Sequence, residues 1–321
     1  MYGIAIIGSG QLGSRHLQGL KKANMNMSVF VVDTNLQALE RAKERYEEVE
    51  DNFRINAIHY ITNMDDLPSH LDLAIIATNS IPRADVARHL CTKKVANIIF
   101  EKFLFPSVSD YASVERCLVN NNTKAWVNCT RRHFSFYKDL KELLANATTM
   151  EMHVAGPGWG MACNSIHFID LFAMLTGKQD FEIDTSLLED IIDSKRSGYI
   201  ELTGSVSGRS ISGDYRFSLT SKEDCTPFSF LISTEKYKIS IFESQKKAYI
   251  ESSDGNKIEK EVTISYQSEL TGTMAEQILL NGESDLPLYA DAANLHIRFL
   301  KPVIEFYNKK TGENSDFCPI T

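Results

Sequence analysis

Short apolar runs and helix-length amphipathic stretches alternate through the first hundred residues. The apolar runs fall at residues 3–7, 28–32, 57–61, 73–77 and 97–101. Helix-like stretches lie at 11–22, 36–48 and 83–93. Strands alternating with helices predict βαβ units and a parallel sheet. The run Leu73-Ala74-Ile75-Ile76-Ala77 is apolar at every position, as expected of a strand covered on both faces. A helix over 110–118 and a strand over 125–129 continue the series.

The pattern then changes. A helix near 136–144 and a strand near 150–155 lead into Gly156-Pro157-Gly158-Trp159-Gly160. A strongly apolar helix over 164–175 follows and stops at Gly177. Strand-like segments dominate next, at 199–206, 210–219, 228–233, 237–242, 247–251 and 257–264, with a hairpin-type Ser-Asp-Gly-Asn turn at 253–256. Helices over 268–280 and 290–307 close the chain. The expected architecture is α/β: a doubly wound parallel sheet in residues 1–124, then an α+β domain with a mostly antiparallel open sheet in 125–321. No long linker, internal repeat or low-complexity segment interrupts it.

Length agrees with this division, since 321 residues suit two domains or one large one. Lys and Arg number 34 against 42 Asp and Glu, a net charge of −8. That balance argues against nucleic-acid binding through a broad basic surface. No apolar run approaches the ~18 residues of a membrane span, and the first strand starts without a basic leader. The expectation is a cytoplasmic protein with reduced thiols. Its six cysteines contain no C-x-x-C pair. The Asn-x-Thr matches at Asn121, Asn128 and Asn146 then read as coincidence.

Gly8-Ser9-Gly10-Gln11-Leu12-Gly13 matches G-x-G-x-x-G between an apolar strand and a helix, the context a dinucleotide requires. Gly8 permits the tight turn, Gly10 leaves room for a pyrophosphate, and Gly13 allows close helix–sheet packing. The helix N-terminus turns N–H groups toward the phosphates. Asp33 ends the second strand, twenty residues beyond Gly13. Its carboxylate would accept the adenosine ribose hydroxyls and repel a 2′-phosphate, favouring NAD over NADP. Thr78 and Asn79 end the fourth strand and should border the cofactor in this Rossmann arrangement, or else only cap a helix.

A Rossmann fold does not define a reaction. Glu101-Lys102 ends the fifth strand, Arg131-Arg132 follows the next, and Cys163-Asn164-Ser165-Ile166-His167-Phe168-Ile169-Asp170 opens the apolar helix. In order and spacing the chain resembles the Gfo/Idh/MocA oxidoreductases over nearly its whole length. The resemblance implies hydride transfer between NAD or NADP and a sugar, modified sugar or polyol. It also implies a homo-oligomer, dimer or tetramer, with a small-molecule substrate. Lys102 matches the lysine of the family's Glu-Lys-Pro motif. His167 and Asp170 match the histidine and last aspartate of its Asp-x-Gly-x-His-x-x-Asp motif. Phe103 stands for the proline, Cys163 for the first aspartate and Ser165 for the glycine.

Oxidising an alcohol removes a hydride from carbon and a proton from oxygen. His167 suits the proton transfer, and a Lys102 ammonium suits stabilisation of the alkoxide. Glu101 should border the cofactor. Arg131 and Arg132 could bind a substrate carboxylate, phosphate or pyrophosphate, or form surface ion pairs. Trp159 could stack on a sugar ring, and Asn164 and Asp170 could bind its hydroxyls. Cys163 and His167 stand at i and i+4, but no second ligand pair accompanies them, so no metal site is expected. The alternative to an enzyme is an NAD-binding sensor or regulatory subunit, because Cys163 leaves the catalytic set incomplete.

Overall fold

The computed structural model describes residues 1–321 apart from 51, 53 and 226. Its contacts divide the chain into two compact units. The first comprises Met1–Phe105, Ser109–Asn128 and Ser265–Ala292; the second comprises Pro106–Val108, Cys129–Ile264 and Ala293–Thr321.

The first unit is built on β1 (Tyr2–Ile7), β2 (Met27–Val32), β3 (Ile55–Ile61), β4 (Leu73–Ile76), β5 (Asn97–Phe100) and β6 (Lys124–Val127). Their order is β3-β2-β1-β4-β5-β6, and every pairing is parallel. Helices α1 (Gln11–Leu20), α2 (Leu36–Glu47), α3 (Ser80–Thr92) and α4 (Val108–Asn120) make the β1–β2, β2–β3, β4–β5 and β5–β6 crossovers. Ile4 to Ile7 and Leu73 to Ile76 are all buried. The apolar runs therefore become central strands, each large side chain contributing about 1.5–3 kcal/mol through burial. Strand order reverses between β1 and β4, which places a ligand crevice beyond the carboxyl ends of those strands.

The second unit carries α5 (Ser135–Leu143), β7 (Met150–Gly156), α6 (Met161–Thr176), β8 (Phe181–Asp193), β9 (Ile200–Ser210), β10 (Tyr215–Ser221), β11 (Ser229–Thr234), β12 (Tyr237–Phe242), β13 (Lys247–Ser252) and β14 (Lys257–Glu261). They form one sheet in the order β14-β13-β12-β11-β7-β10-β9-β8. Among the described residues only β7 and β10 pair in parallel. Alternation sorts the faces: Met152, Val154, Phe217, Leu219, Phe230 and Ile232 are buried, whereas Glu151, His153, Arg216 and Leu231 are exposed. α6 packs against β9 and β10.

Three expectations change. β8 has no counterpart among the expected strands, because register shifts at Asp184/Leu187 and Leu188/Ile191 break its period of two. The expected strand over 210–219 is the end of β9, a turn and the start of β10. The segment 265–292, expected with the second half, packs in the first unit through α7 (Gln267–Glu276). α7 lies very close to α1: a Cβ on Gly19 would come within 2.8 Å of Thr271 Cβ, and one on Gly272 within 2.8 Å of Gly19 O. The last helix, α8 (Tyr289–Thr311), runs through both units. Among the described residues no helix is long and apolar enough to cross a membrane.

Candidate active site

The turn from β1 into α1 is closed by backbone contact. Gly8 sits at φ +91°, and a Cβ there would lie 2.9 Å from Thr78 N. A Cβ on Gly13 would lie 1.8 Å from Gly8 O, a clash no rotamer relieves. At Gly10, by contrast, a Cβ would meet nothing within 4 Å. Gly10 is the N-cap of α1, which has no side-chain capping bond. The first helical bond runs from Ser14 N to Gly10 O (3.0 Å), so the amides of Gln11, Leu12 and Gly13 lie ahead of the helix's own ladder. An open glycine edge, forward amides and a positive dipole end fit a dinucleotide pyrophosphate.

Asp33 stands at the other side of this turn. Its Oδ2 accepts from Ser9 N (2.7 Å) and Ser9 Oγ (3.1 Å), and Oδ1 accepts from Asn35 N (2.9 Å). The carboxylate is therefore held in place beside the glycine loop. Arg45 reaches from α2 to donate to Ser14 Oγ (2.7 Å) and Gln11 Oε1 (3.2 Å). Ser9 and Arg45 were invisible to the motif, which specifies only the glycines.

Thr78, Glu101 and Asn128 lie just beyond β4, β5 and β6. Asn79, the N-cap of α3, is exposed and makes no side-chain capping bond. Arg83, buried on α3, donates to the backbone oxygens of Thr78, Phe103 and Leu104, tying together the loops after β4 and β5. Glu101, expected to border the cofactor, is 3% exposed and committed to a buried network. Its Oε1 meets His16 Nε2 at 2.9 Å and Asn128 Nδ2 at 2.6 Å, and its Oε2 accepts from Lys102 N at 3.3 Å. Asn128 Nδ2 also reaches Gln267 Oε1 (2.7 Å), while His16 Nδ1 meets Thr271 Oγ1 (3.0 Å). Burial pushes the Glu101 carboxyl up, but His16 and Asn128 outweigh it and hold the group below its ordinary range. Lys102 is half-buried, and its peptide bond to Phe103 is cis. Thr78 Oγ1 and Asn128 Oδ1 are buried oxygens with no hydrogen-bond partner among the described residues.

In the second unit the two arginines are committed to internal carboxylates. Arg131 grips Glu243 through Nε (2.9 Å) and Nη2 (2.7 Å), and its guanidinium lies 4.4 Å from the Phe168 ring centroid. Burial works against the Arg131 charge, yet Glu243 and Tyr137 hold it firmly protonated. Burial likewise raises the Glu243 carboxyl, and Arg131 more than reverses this. Arg132 forms a fork with Asp170, with Nε–Oδ2 at 2.9 Å and Nη2–Oδ1 at 2.8 Å. The expected anion-binding arginines and hydroxyl-binding Asp170 thus serve as internal ion pairs. Trp159 donates its indole N–H to Thr220 O (2.7 Å) and packs edge-on against Phe168.

Cys163, Asn164 and Trp159 nevertheless line one cavity of about 320 Å³, together with Glu201, Lys195 and Arg196. Asn164 Nδ2 donates to Trp159 O (2.9 Å), and Glu201 Oε2 caps α6 by accepting from Ala162 N (2.8 Å). His167 is half-buried one turn further along α6. Among the described residues no three His, Cys, Asp or Glu side chains gather as a metal site.

Residues 2–129 match the oxidoreductase family Gfo/Idh/MocA, described as an NAD-binding Rossmann fold. No curated protein matches the sequence. Among solved structures, an oxidoreductase from Agrobacterium radiobacter, in complex with NAD+, L-tartaric acid and magnesium, is similar at TM-score 0.70 and 14% identity, covering 97% of each chain. A Gfo/Idh/MocA family oxidoreductase from Vibrio cholerae matches at TM-score 0.69 and 14% identity, over 98% of this chain and 100% of that one. The UDP-N-acetylglucosamine 3-dehydrogenase of Acidithiobacillus ferrooxidans matches at 0.68 and 14%, over 94% and 97%.

Proposed function

We propose that this chain, whose residues 2–129 match the Gfo/Idh/MocA oxidoreductase family, uses NAD in preference to NADP to oxidise or reduce a sugar, modified sugar or polyol. The observation that carries the cofactor preference is the Asp33 carboxylate, fixed by Ser9 and Asn35 beside the glycine loop. Gly10, Gln11, Leu12 and Gly13 would hold the pyrophosphate, and Asp33 the adenosine ribose. Bound NAD supplies the acceptor or donor of the hydride.

The rest of the chemistry falls to the chain. Lys102 directly follows Glu101, whose carboxylate accepts the Lys102 amide N–H. An ammonium at that strand end stabilises negative charge on a substrate oxygen. His167 takes the hydroxyl proton in oxidation and returns it in reduction. Cys163 brings no carboxylate to α6, and a neutral thiol orients an imidazole weakly. Trp159, Cys163, Asn164 and Glu201 line a cavity whose amide, carboxylate and indole suit a polyhydroxylated ligand. The resemblance in fold to a nucleotide-sugar dehydrogenase supports the same substrate class.

The test joins binding to turnover. NADH should bind, and a panel of sugars and nucleotide sugars should include one that changes absorbance at the nicotinamide band. Lys102→Ala and His167→Ala should each lower that turnover by about 10²–10⁴-fold while NADH still binds. Full activity in both variants would defeat the assignment. NADH binding without turnover on any member would favour the sensor reading.

A further inference from the structure

We propose that Asn128 is a nicotinamide-binding residue, its side-chain carbonyl oxygen accepting an N–H of the cofactor's carboxamide. This rests on the NAD-binding reading above and adds a contact that neither the motif nor the fold assigns.

Topology selects the position. The order β3-β2-β1-β4-β5-β6 joins two mononucleotide-binding halves at the β1/β4 crevice. The glycine loop and Asp33 belong to the half containing β1 to β3. The nicotinamide half is therefore β4 to β6, and its ligand-facing edge is the row of carboxyl ends carrying Thr78, Glu101 and Asn128. Asn128 follows β6 directly, and its backbone N–H is anchored to Phe100 O at 2.8 Å.

Chemistry then assigns the two ends of the amide. One terminal atom lies 2.6 Å from Glu101 Oε1 and 2.7 Å from Gln267 Oε1. Glu101 is held below its ordinary range by His16 and Asn128 against the effect of burial, so it is a carboxylate and only accepts. The atom facing it must be the nitrogen, and both of its hydrogens are used. The carbonyl oxygen therefore points away from Glu101. It is buried, on a residue 2% exposed, and has no hydrogen-bond partner among the described residues. A buried acceptor without a donor is rare and unfavourable. The amide cannot turn to relieve it without stripping a donor from Glu101. Thr78 Oγ1, beyond β4, is a second buried oxygen of this kind on the same row. A carboxamide brings the missing donors as its –NH₂ group, at the half of the sheet where nicotinamide belongs. The His16–Glu101–Asn128–Gln267 network thus holds an acceptor in fixed orientation before the cofactor arrives.

Three ligands test this without a substrate. NADH carries the carboxamide. Its reduced 3-acetylpyridine analogue lacks the –NH₂ donor. ADP-ribose lacks the whole ring. Calorimetry should show wild-type protein binding NADH about tenfold more tightly than the acetylpyridine analogue, the scale of one buried hydrogen bond with its partner left unpaired. In Asn128→Ala the preference should fall within about twofold, with ADP-ribose affinity nearly unchanged. A preference that persists in Asn128→Ala, or equal wild-type affinities for the two reduced dinucleotides, would overturn the assignment. The wild-type comparison stands even if the variant folds poorly. Failure of both NADH and ADP-ribose to bind would remove the cofactor reading itself and this contact with it.

Discussion

The sharpest quantitative consequence of the cofactor site concerns Asp33. Its carboxylate receives three hydrogen bonds, from Ser9 N, Ser9 Oγ and Asn35 N. Those bonds fix where its negative charge sits. A 2′-phosphate on the same ribose would bring about −1.5 to −2 charges to its neighbourhood. For one pair of unit charges about 5 Å apart, repulsion is about 0.8 kcal/mol at a dielectric of 80 and about 3 kcal/mol at 20. Doubling the charge and losing a ribose hydroxyl bond both add to this. The expected preference for NADH over NADPH is therefore at least about tenfold, the equivalent of about 1.4 kcal/mol. Fluorescence titration of the two reduced cofactors at one ionic strength measures it. Asp33→Asn should weaken NADH modestly and improve NADPH, narrowing the ratio several-fold. Raising salt should narrow it in wild type as well, since the repulsion is partly screened. Equal or tighter NADPH binding in wild type would refute the argument, as would an unchanged ratio in Asp33→Asn.

Other consequences are simpler to state. Gly13→Ala places a methyl where Gly8 O lies 1.8 Å away, so a loss of about 3 kcal/mol or more is expected, seen as a lower melting temperature and lost NADH binding; an unchanged melt would contradict the loop geometry. Glu101 has a carboxyl held below its ordinary value, so its contribution to stability is present above the usual carboxylate range and disappears as pH falls through the lower folded value. Glu101→Gln should accordingly flatten the acid limb of a stability–pH profile, and an identical limb would count against the His16–Glu101 pair. The second unit's sheet leaves Leu231 39% and Tyr249 46% exposed on one face, and a homo-oligomer is expected; light scattering that finds only the 36.2 kDa monomer at every concentration would exclude it.

The parallel half of the fold was legible because its signals are local. The central strands β1 and β4 are apolar runs buried throughout, and helices α1, α2, α3 and α4 alternate with the strands along the chain. β8 escaped for a local reason too: its two register shifts leave Leu187 and Ile192 exposed and scramble the alternation. α7 escaped for a different reason. Its residues read as a helix, but nothing in their pattern says that Gly272 will meet Gly19 some 250 residues earlier. Helix–helix approach through glycines leaves no hydrophobic stripe to find.

The same distinction divides the candidate site. The glycine loop and Asp33 were readable because a backbone turn and a strand end impose residue types at fixed spacing. The arginines left two readings open, anion binding or ion pairing, because their partners are remote: Arg131 meets Glu243, 112 positions away, and Arg132 meets Asp170, 38 away. A basic cluster in sequence announces charge without saying whether the fold has already neutralised it. Arg131 sits over Phe168 and grips Glu243, while Asp170 is buried beneath Arg132. The Arg132–Asp170 pair ties α6 to the turn that carries Arg132, and loss of Arg132 would take that cation from the buried Asp170 carboxylate. The motif residues of α6 therefore divide by direction. Arg132 and Asp170 secure the helix, whereas Cys163 and Asn164 line the cavity. That lining also draws on Ile192 and Asp193 of β8, Lys195 and Arg196 of the β8–β9 connection and Glu201 of β9. On the proposed reading of this cavity as the substrate site, exchange of Lys195 and Arg196 should alter which ligands enter while leaving the Arg132–Asp170 pair intact.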